Sequence, residues 1–118
     1  QGLAVITFWH NPRCSKSRAG LALLQESGAA LSVRRYLDDP PTVDELRAVQ
    51  HLLDVPAMQM VRRKEPEFAA MGLRSDSDTE TVLRALAAAP RLIERPIAIR
   101  GNRAAIGRPP EALRALLD

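Results

Sequence analysis

The period of the apolar positions changes several times along the chain, and each change marks an element. Leu3-Ala-Val-Ile-Thr-Phe-Trp9 is a strand-length apolar run that gives way through His10-Asn-Pro-Arg13. From Ser15 to Ser27, Leu21, Leu24 and their neighbours recur at helical spacing, with Gly28 as the stop, so a helix begins at or beside Cys14. Leu31-Ser-Val-Arg-Arg-Tyr36 alternates as a second strand and ends at Asp38-Asp-Pro-Pro41. Thr42-Val-Asp-Glu45 has the spacing of a capping box and predicts a helix from Val43 toward Leu53. Ser77-Asp-Thr-Glu80 repeats the device ahead of Val82 to Ala89. Between them Pro56 to Arg63 reads as another short helix, with Gly72 and Ser75-Asp-Ser-Asp78 as punctuation. Pro96 to Arg100 and Arg103 to Ile106 flank Gly101-Asn102, a hairpin signal. Gly107-Arg-Pro-Pro110 then leads into a closing helix from Glu111 to Leu117, with Pro110 in its first turn.

The order is therefore β-α-β, helices, β-β-α. A right-handed crossover makes the first two strands parallel, and the terminal hairpin extends the same sheet. The expected fold is α/β: a thioredoxin-like mixed sheet in a single domain over 3–117, with a central helical insertion at approximately 42–90.

A chain of 118 residues can bury a core without disulfides, and its one cysteine forms no internal bridge. No basic start followed by a long apolar segment marks a secretory signal, and no apolar run approaches the ~18 residues of a spanning helix. A cytoplasmic protein away from the membrane is expected, with Gln1-Gly2 set aside as a possible tag remnant. The net charge is +3 and Lys16 and Lys64 are the only lysines, so the positive charge is mostly guanidinium, suited to forked recognition of oxyanions. The arginines are dispersed, and Phe8, Trp9, Tyr36 and Phe68 are the only aromatics. Without a stacking platform, direct nucleic-acid binding is not expected. Glycine-rich phosphate loops and metal-ligand clusters are missing from the sequence, so neither a metal nor a bound cofactor is expected.

Cys14 stands where the first strand passes through a tight loop into a helix N-terminus. Unpaired amides and the positive end of the helix dipole favour an anion there, so the thiol should ionise more easily than a free one. The same amides attract oxyanions. A lone cysteine is more often a small buried hydrophobe, but this position favours a nucleophile. Lys16 adds positive charge, and Ser17 stands where a dithiol motif would carry its second cysteine, so a dithiol cycle within this chain is impossible. Isolated arginines are usually solvated charges, the reading given to Arg34, Arg35, Arg84 and Arg114; His51 is read the same way.

His10-Asn-Pro-Arg-Cys14, Arg95-Pro96 and Arg108-Pro109, in this order, resemble the glutaredoxin-coupled arsenate reductase family and its reductase-like relatives over about Leu3 to Leu117. The resemblance implies that Cys14 attacks arsenate, that Arg62, Arg95 and Arg108 hold the oxyanion and lower the thiol pKa, and that His10 tunes the site. In Met60-Val-Arg-Arg-Lys64 a one-residue shift would substitute Arg63 for Arg62. The resemblance also implies a cis Arg95-Pro96 bond facing the cysteine. Glutathione would attack the thiol–arsenate adduct and glutaredoxin would resolve the product, making arsenate, glutathione and glutaredoxin the expected partners. Better-known reductases follow the cysteine with Gly-Thr-Ser, whereas Cys14-Ser-Lys-Ser17 is similar to the reductase-like branch. Two alternatives share the fold: an Spx-like redox-responsive regulator of RNA polymerase, and a glutathione-dependent thiol oxidoreductase.

Overall fold

The computed structural model describes residues 5–117. Gln1-Gly2 and the first two residues of the expected opening strand, Leu3 and Ala4, lie outside that range. The chain divides into two compact units: one runs up to Asp39 and resumes at Arg95, and the other is Pro40–Glu94.

The first unit is built on a four-stranded mixed sheet in the order β2-β1-β3-β4. Strand β1 (Ile6–His10) runs parallel to β2 (Leu31–Arg35) and antiparallel to β3 (Ile97–Arg100), which pairs antiparallel with β4 (Arg103–Ile106). This is the expected thioredoxin-like topology. Helix α1 (Ser15–Glu26) supplies the crossover from β1 to β2. It ends in a Schellman motif: the Gly28 amide donates to the Gln25 carbonyl and the Ala29 amide to that of Leu24, at 3.1 and 3.4 Å. Gly28 can take the required φ of 79° without a Cβ penalty. Ile6 and Phe8 of β1, Leu24 of α1, Ala98 of β3, and Leu113 and Leu116 form the core of this unit. The last two come from Pro110–Leu116, which winds as a 3₁₀ helix where an α-helix was expected.

The second unit is helical. Helix α2 (Val43–Leu53) starts at the expected capping box: the Glu45 amide donates to Thr42 Oγ1 and the Thr42 amide to the Glu45 carboxylate. Pro56 to Arg63 does not form one helix. A 3₁₀ turn covers Ala57–Met60, and Val61 then leaves helical geometry to bridge Ile93 antiparallel, with the Arg62 amide on the Leu92 carbonyl and the Glu94 amide on that of Met60, both at 2.7 Å. Helix α3 (Pro66–Ala70) was not foreseen; none of its residues is fully buried, so it leaves no periodic apolar face to read. Helix α4 (Thr79–Ala88) is capped by Asp78, whose carboxylate accepts from the Thr81 amide at 2.8 Å. The cap expected at Ser77 does not form, because the Ser77 hydroxyl accepts from the Arg74 amide one turn earlier. Another 3₁₀ turn, Pro90–Leu92, follows α4. Among the described residues no helix is long and apolar enough to cross a membrane.

Candidate active site

Cys14 is the N-cap of α1, with extended backbone (φ −96°, ψ 125°), so its side chain faces the first-turn amides of Lys16 and Ser17, the N2 and N3 positions. No geometric cap hydrogen bond closes on the sulfur, and the amides act as oriented dipoles. Two residues before β3, Arg95 brings its Nε to 3.2 Å from Cys14 Sγ. Burial pushes the thiol up; the Ser17 amide, the Arg95 hydrogen bond and charge, and the Lys16 amide outweigh it, leaving Cys14 below the ordinary cysteine value. The Arg95-Pro96 bond is cis, and Arg108-Pro109 is cis as well.

The loop before Cys14 is held at four points. The Cys14 amide donates to the Asn11 carbonyl at 3.0 Å and the Arg13 amide to Asn11 Oδ1 at 3.0 Å. The Asn11 amide donates to Ser17 Oγ at 2.9 Å, and Arg18 Nη1 to the Pro12 carbonyl at 2.8 Å. Ser17 is fully buried, and its hydroxyl also meets His10 Nδ1 at 2.7 Å. Ser17 thus ties the end of β1 to the first turn of α1 and presents its amide to the thiol. Sequence reading gave it no such role. Its signal was the N3 position relative to an N-cap cysteine. Burial first, then the charges of Arg35 and Arg18, lower the His10 pKa, so the imidazole is neutral at neutral pH.

Of the expected site residues, the structure brings Cys14 and Arg95 into direct contact and links His10 to the same turn through Ser17. Arg108 is exposed after β4, its amide donating to the Ile106 carbonyl. Arg62 belongs to the helical unit, half-buried, with Nη2 on Glu65 at 3.0 Å, while Arg63 is exposed. Two arginines read as solvated have local roles. Arg34 lies 5.6 Å from the centre of the Trp9 ring and 3.2 Å from the Asp39 carboxylate, and Arg35 projects its charge toward His10. Arg84, Arg114 and His51 are exposed.

Pro96 carries this geometry into the core. A Cβ on Gly107 would lie 2.7 Å from the Pro96 ring, and one on Gly20 of α1 would lie 3.0 Å from it. Only glycine lets both backbones approach so closely. No group of three His, Cys, Asp or Glu residues is placed to hold a metal among the described residues.

An activated thiol at a helix N-terminus, facing an arginine that precedes a proline, can attack an electrophile and stabilise the charge that develops on an oxyanion. Known proteins are similar to this chain over most of its length. The arsenate reductase of Neisseria meningitidis serogroup A is 44% identical over 114 residues, covering 95% of this chain and 97% of its own. Escherichia coli YfgD, an uncharacterized protein, is 39% identical over 108 residues, covering 90% and 91%. The solved arsenate reductase from Vibrio cholerae superposes with a TM-score of 0.92 at 37% identity, covering 98% of this chain and 99% of its own. The ArsC family matches residues 9–116, from the end of β1 to the final 3₁₀ helix, and the chain belongs to the ArsC family.

Proposed function

We propose that this protein reduces arsenate to arsenite, with glutathione and glutaredoxin as the source of electrons. The observation that carries the reading is the 3.2 Å contact between Arg95 and a Cys14 thiol already held below its ordinary pKa. The Cys14 thiolate attacks the arsenic of arsenate, forming an S–As bond as one oxygen leaves with a proton. Arg95 neutralises the charge on the oxygens in that step. Arg108 and Arg62 are assigned the same oxyanion-holding role on their motifs alone.

Reduction then requires a second sulfur. The glutathione thiolate attacks Cys14 Sγ of the adduct, and as the S–As bond breaks its electron pair stays on arsenic, taking As(V) to As(III). Cys14 is left in a mixed disulfide. Glutaredoxin accepts the glutathionyl group and returns the free thiolate. An external thiol fits a chain whose only cysteine is Cys14. His10, neutral and bonded to Ser17, serves as a positioning residue for the Cys14 turn.

Mass spectrometry of the protein exposed to arsenate and then to limiting glutathione tests this cycle. The expected species is a single glutathionyl group on Cys14 with an equivalent of arsenite in solution. Arsenite release without modification of Cys14 would reject it.

A further inference from the structure

The loop that carries Cys14 also borders a cavity of about 420 Å³, lined among others by His10, Pro12, Arg13, Arg35, Leu37 and Asp38. That volume falls within the range of about 300–1,000 Å³ typical of small-molecule sites. The fold brings its walls together. The parallel register sets His10 opposite Arg35, and the chain turns directly after β2, with the Asp38 and Asp39 amides donating to the Arg35 carbonyl at 3.0 and 2.9 Å. Arg13 closes the loop side, and its chain neighbour is Cys14.

Arg34, Arg47, Arg62, Arg74 and Arg91 all form ion pairs with carboxylates, whereas Arg13 and Arg35 form none among the described residues. The cavity therefore holds two uncommitted guanidinium groups, one carboxylate and an apolar strip from Pro12 and Leu37. We propose that this cleft binds the reducing cosubstrate, a small zwitterionic peptide thiol with two carboxylates and one ammonium. Arg13 and Arg35 take the carboxylates, Asp38 takes the ammonium, and the apolar strip carries the peptide stem. The assignment rests on glutathione being the reductant; the residues that select it are the new element. Forked guanidinium groups suit carboxylates, and Arg13 on the wall of the cleft directly precedes Cys14 in the chain.

The test is thiol–disulfide exchange without arsenate. The Cys14 thiolate attacks oxidised glutathione, one S–S bond forms with Cys14, the original S–S bond breaks, and one glutathione thiolate leaves. Wild type, Arg13→Ala, Arg35→Ala and the double variant are compared with oxidised glutathione, with neutral 2-hydroxyethyl disulfide, and with dithiodiglycolate, an anionic disulfide that lacks the ammonium groups and the peptide stem. Each single variant should lose about tenfold in rate with oxidised glutathione, the scale of one charge-assisted hydrogen bond. The neutral disulfide should react as in wild type, which also reports an intact fold and thiolate, and dithiodiglycolate should be affected less. An unchanged glutathione rate in the double variant would overturn the assignment. So would equal losses with both anionic disulfides, since that is the mark of a diffuse positive field. Selectivity for glutathione without any arsenate turnover would instead reject the proposed reaction and leave the cleft standing.

Discussion

Arg95 Nε lies 3.2 Å from Cys14 Sγ, although 81 positions separate the two residues. The contact joins the N-terminus of α1 to the segment that leads into β3. Replacing Arg95 with Ala should move the Cys14 thiol toward its ordinary value and lower arsenate turnover by about 10²-fold, the usual scale for losing one oxyanion donor. Lysine should rescue only part, because it keeps the charge and loses the fork. The pH profile of iodoacetamide alkylation reads the first effect. An Arg95→Ala profile that coincides with wild type would remove this arginine from the account.

His10 makes a pH dependence with a defined sign. Its folded-state pKa is lowered from 6.5, first by burial and then by Arg35 and Arg18. The unfolded chain therefore binds the proton more tightly, and the stabilising contribution is full above pH 6.5 and is lost as pH falls through the lowered folded value. Urea denaturation should show stability declining on acidification in this window, with a shallower decline in His10→Gln. Parallel curves for the two proteins would contradict it.

Ser17→Ala separates position from charge. It leaves the Asn11 amide and His10 Nδ1 without their shared partner in a buried site, at a cost of about 1–3 kcal/mol. The backbone amide that lowers the Cys14 pKa remains. Stability should drop while alkylation stays fast at mildly acidic pH; slow alkylation at that pH would show that the hydroxyl, not the amide, activates the thiol.

The elements with local codes were legible in the sequence. Thr42 and Glu45 cap α2 as their spacing requires, and Gly28 ends α1 as a helix C-terminus should. Where two codes stood side by side the reading slipped: Ser77 and Asp78 both fit a cap, and the Arg74 turn took the serine. Helix α3 and the 3₁₀ form of Pro110–Leu116 carry no periodic signal that distinguishes them. In the candidate site, the thiol at a helix N-terminus followed from the strand-to-helix transition alone. Its meeting with Arg95 depends on the β1–β3 pairing, which local sequence does not encode, and only the family resemblance pointed to it.

Gly107 and Gly20 should respond differently to alanine. At Gly107 the new Cβ meets the Pro96 ring at 2.7 Å, an atom that cannot swing away, and overpacking of this kind costs about 1–3 kcal/mol. At Gly20 the new Cβ meets Leu113 Cδ1 at 2.9 Å and the Pro96 ring at 3.0 Å, a looser approach than the 2.7 Å at Gly107, and the helix gains about 1 kcal/mol in propensity that offsets part of the crowding. Thermal melts should place Gly107→Ala well below Gly20→Ala. Because Pro96 follows Arg95, Gly107→Ala should also slow alkylation of Cys14.

The Arg62→Ala and Arg63→Ala pair decides between neighbouring arginines. The former should be severely impaired in arsenate turnover and the latter close to wild type; the opposite ranking would shift the motif by one residue.

Steady-state arsenite production tests the central claim most directly, with wild type and Cys14→Ser compared under glutathione plus glutaredoxin and under thioredoxin alone. Wild type should complete many turnovers with glutathione and glutaredoxin and few with thioredoxin, because Cys14 forms no intramolecular disulfide for thioredoxin to reduce, and Cys14→Ser should complete none. No arsenite from a folded wild-type protein whose Cys14 is a reactive thiolate would contradict the account, as would sustained turnover by Cys14→Ser or by wild type with thioredoxin alone.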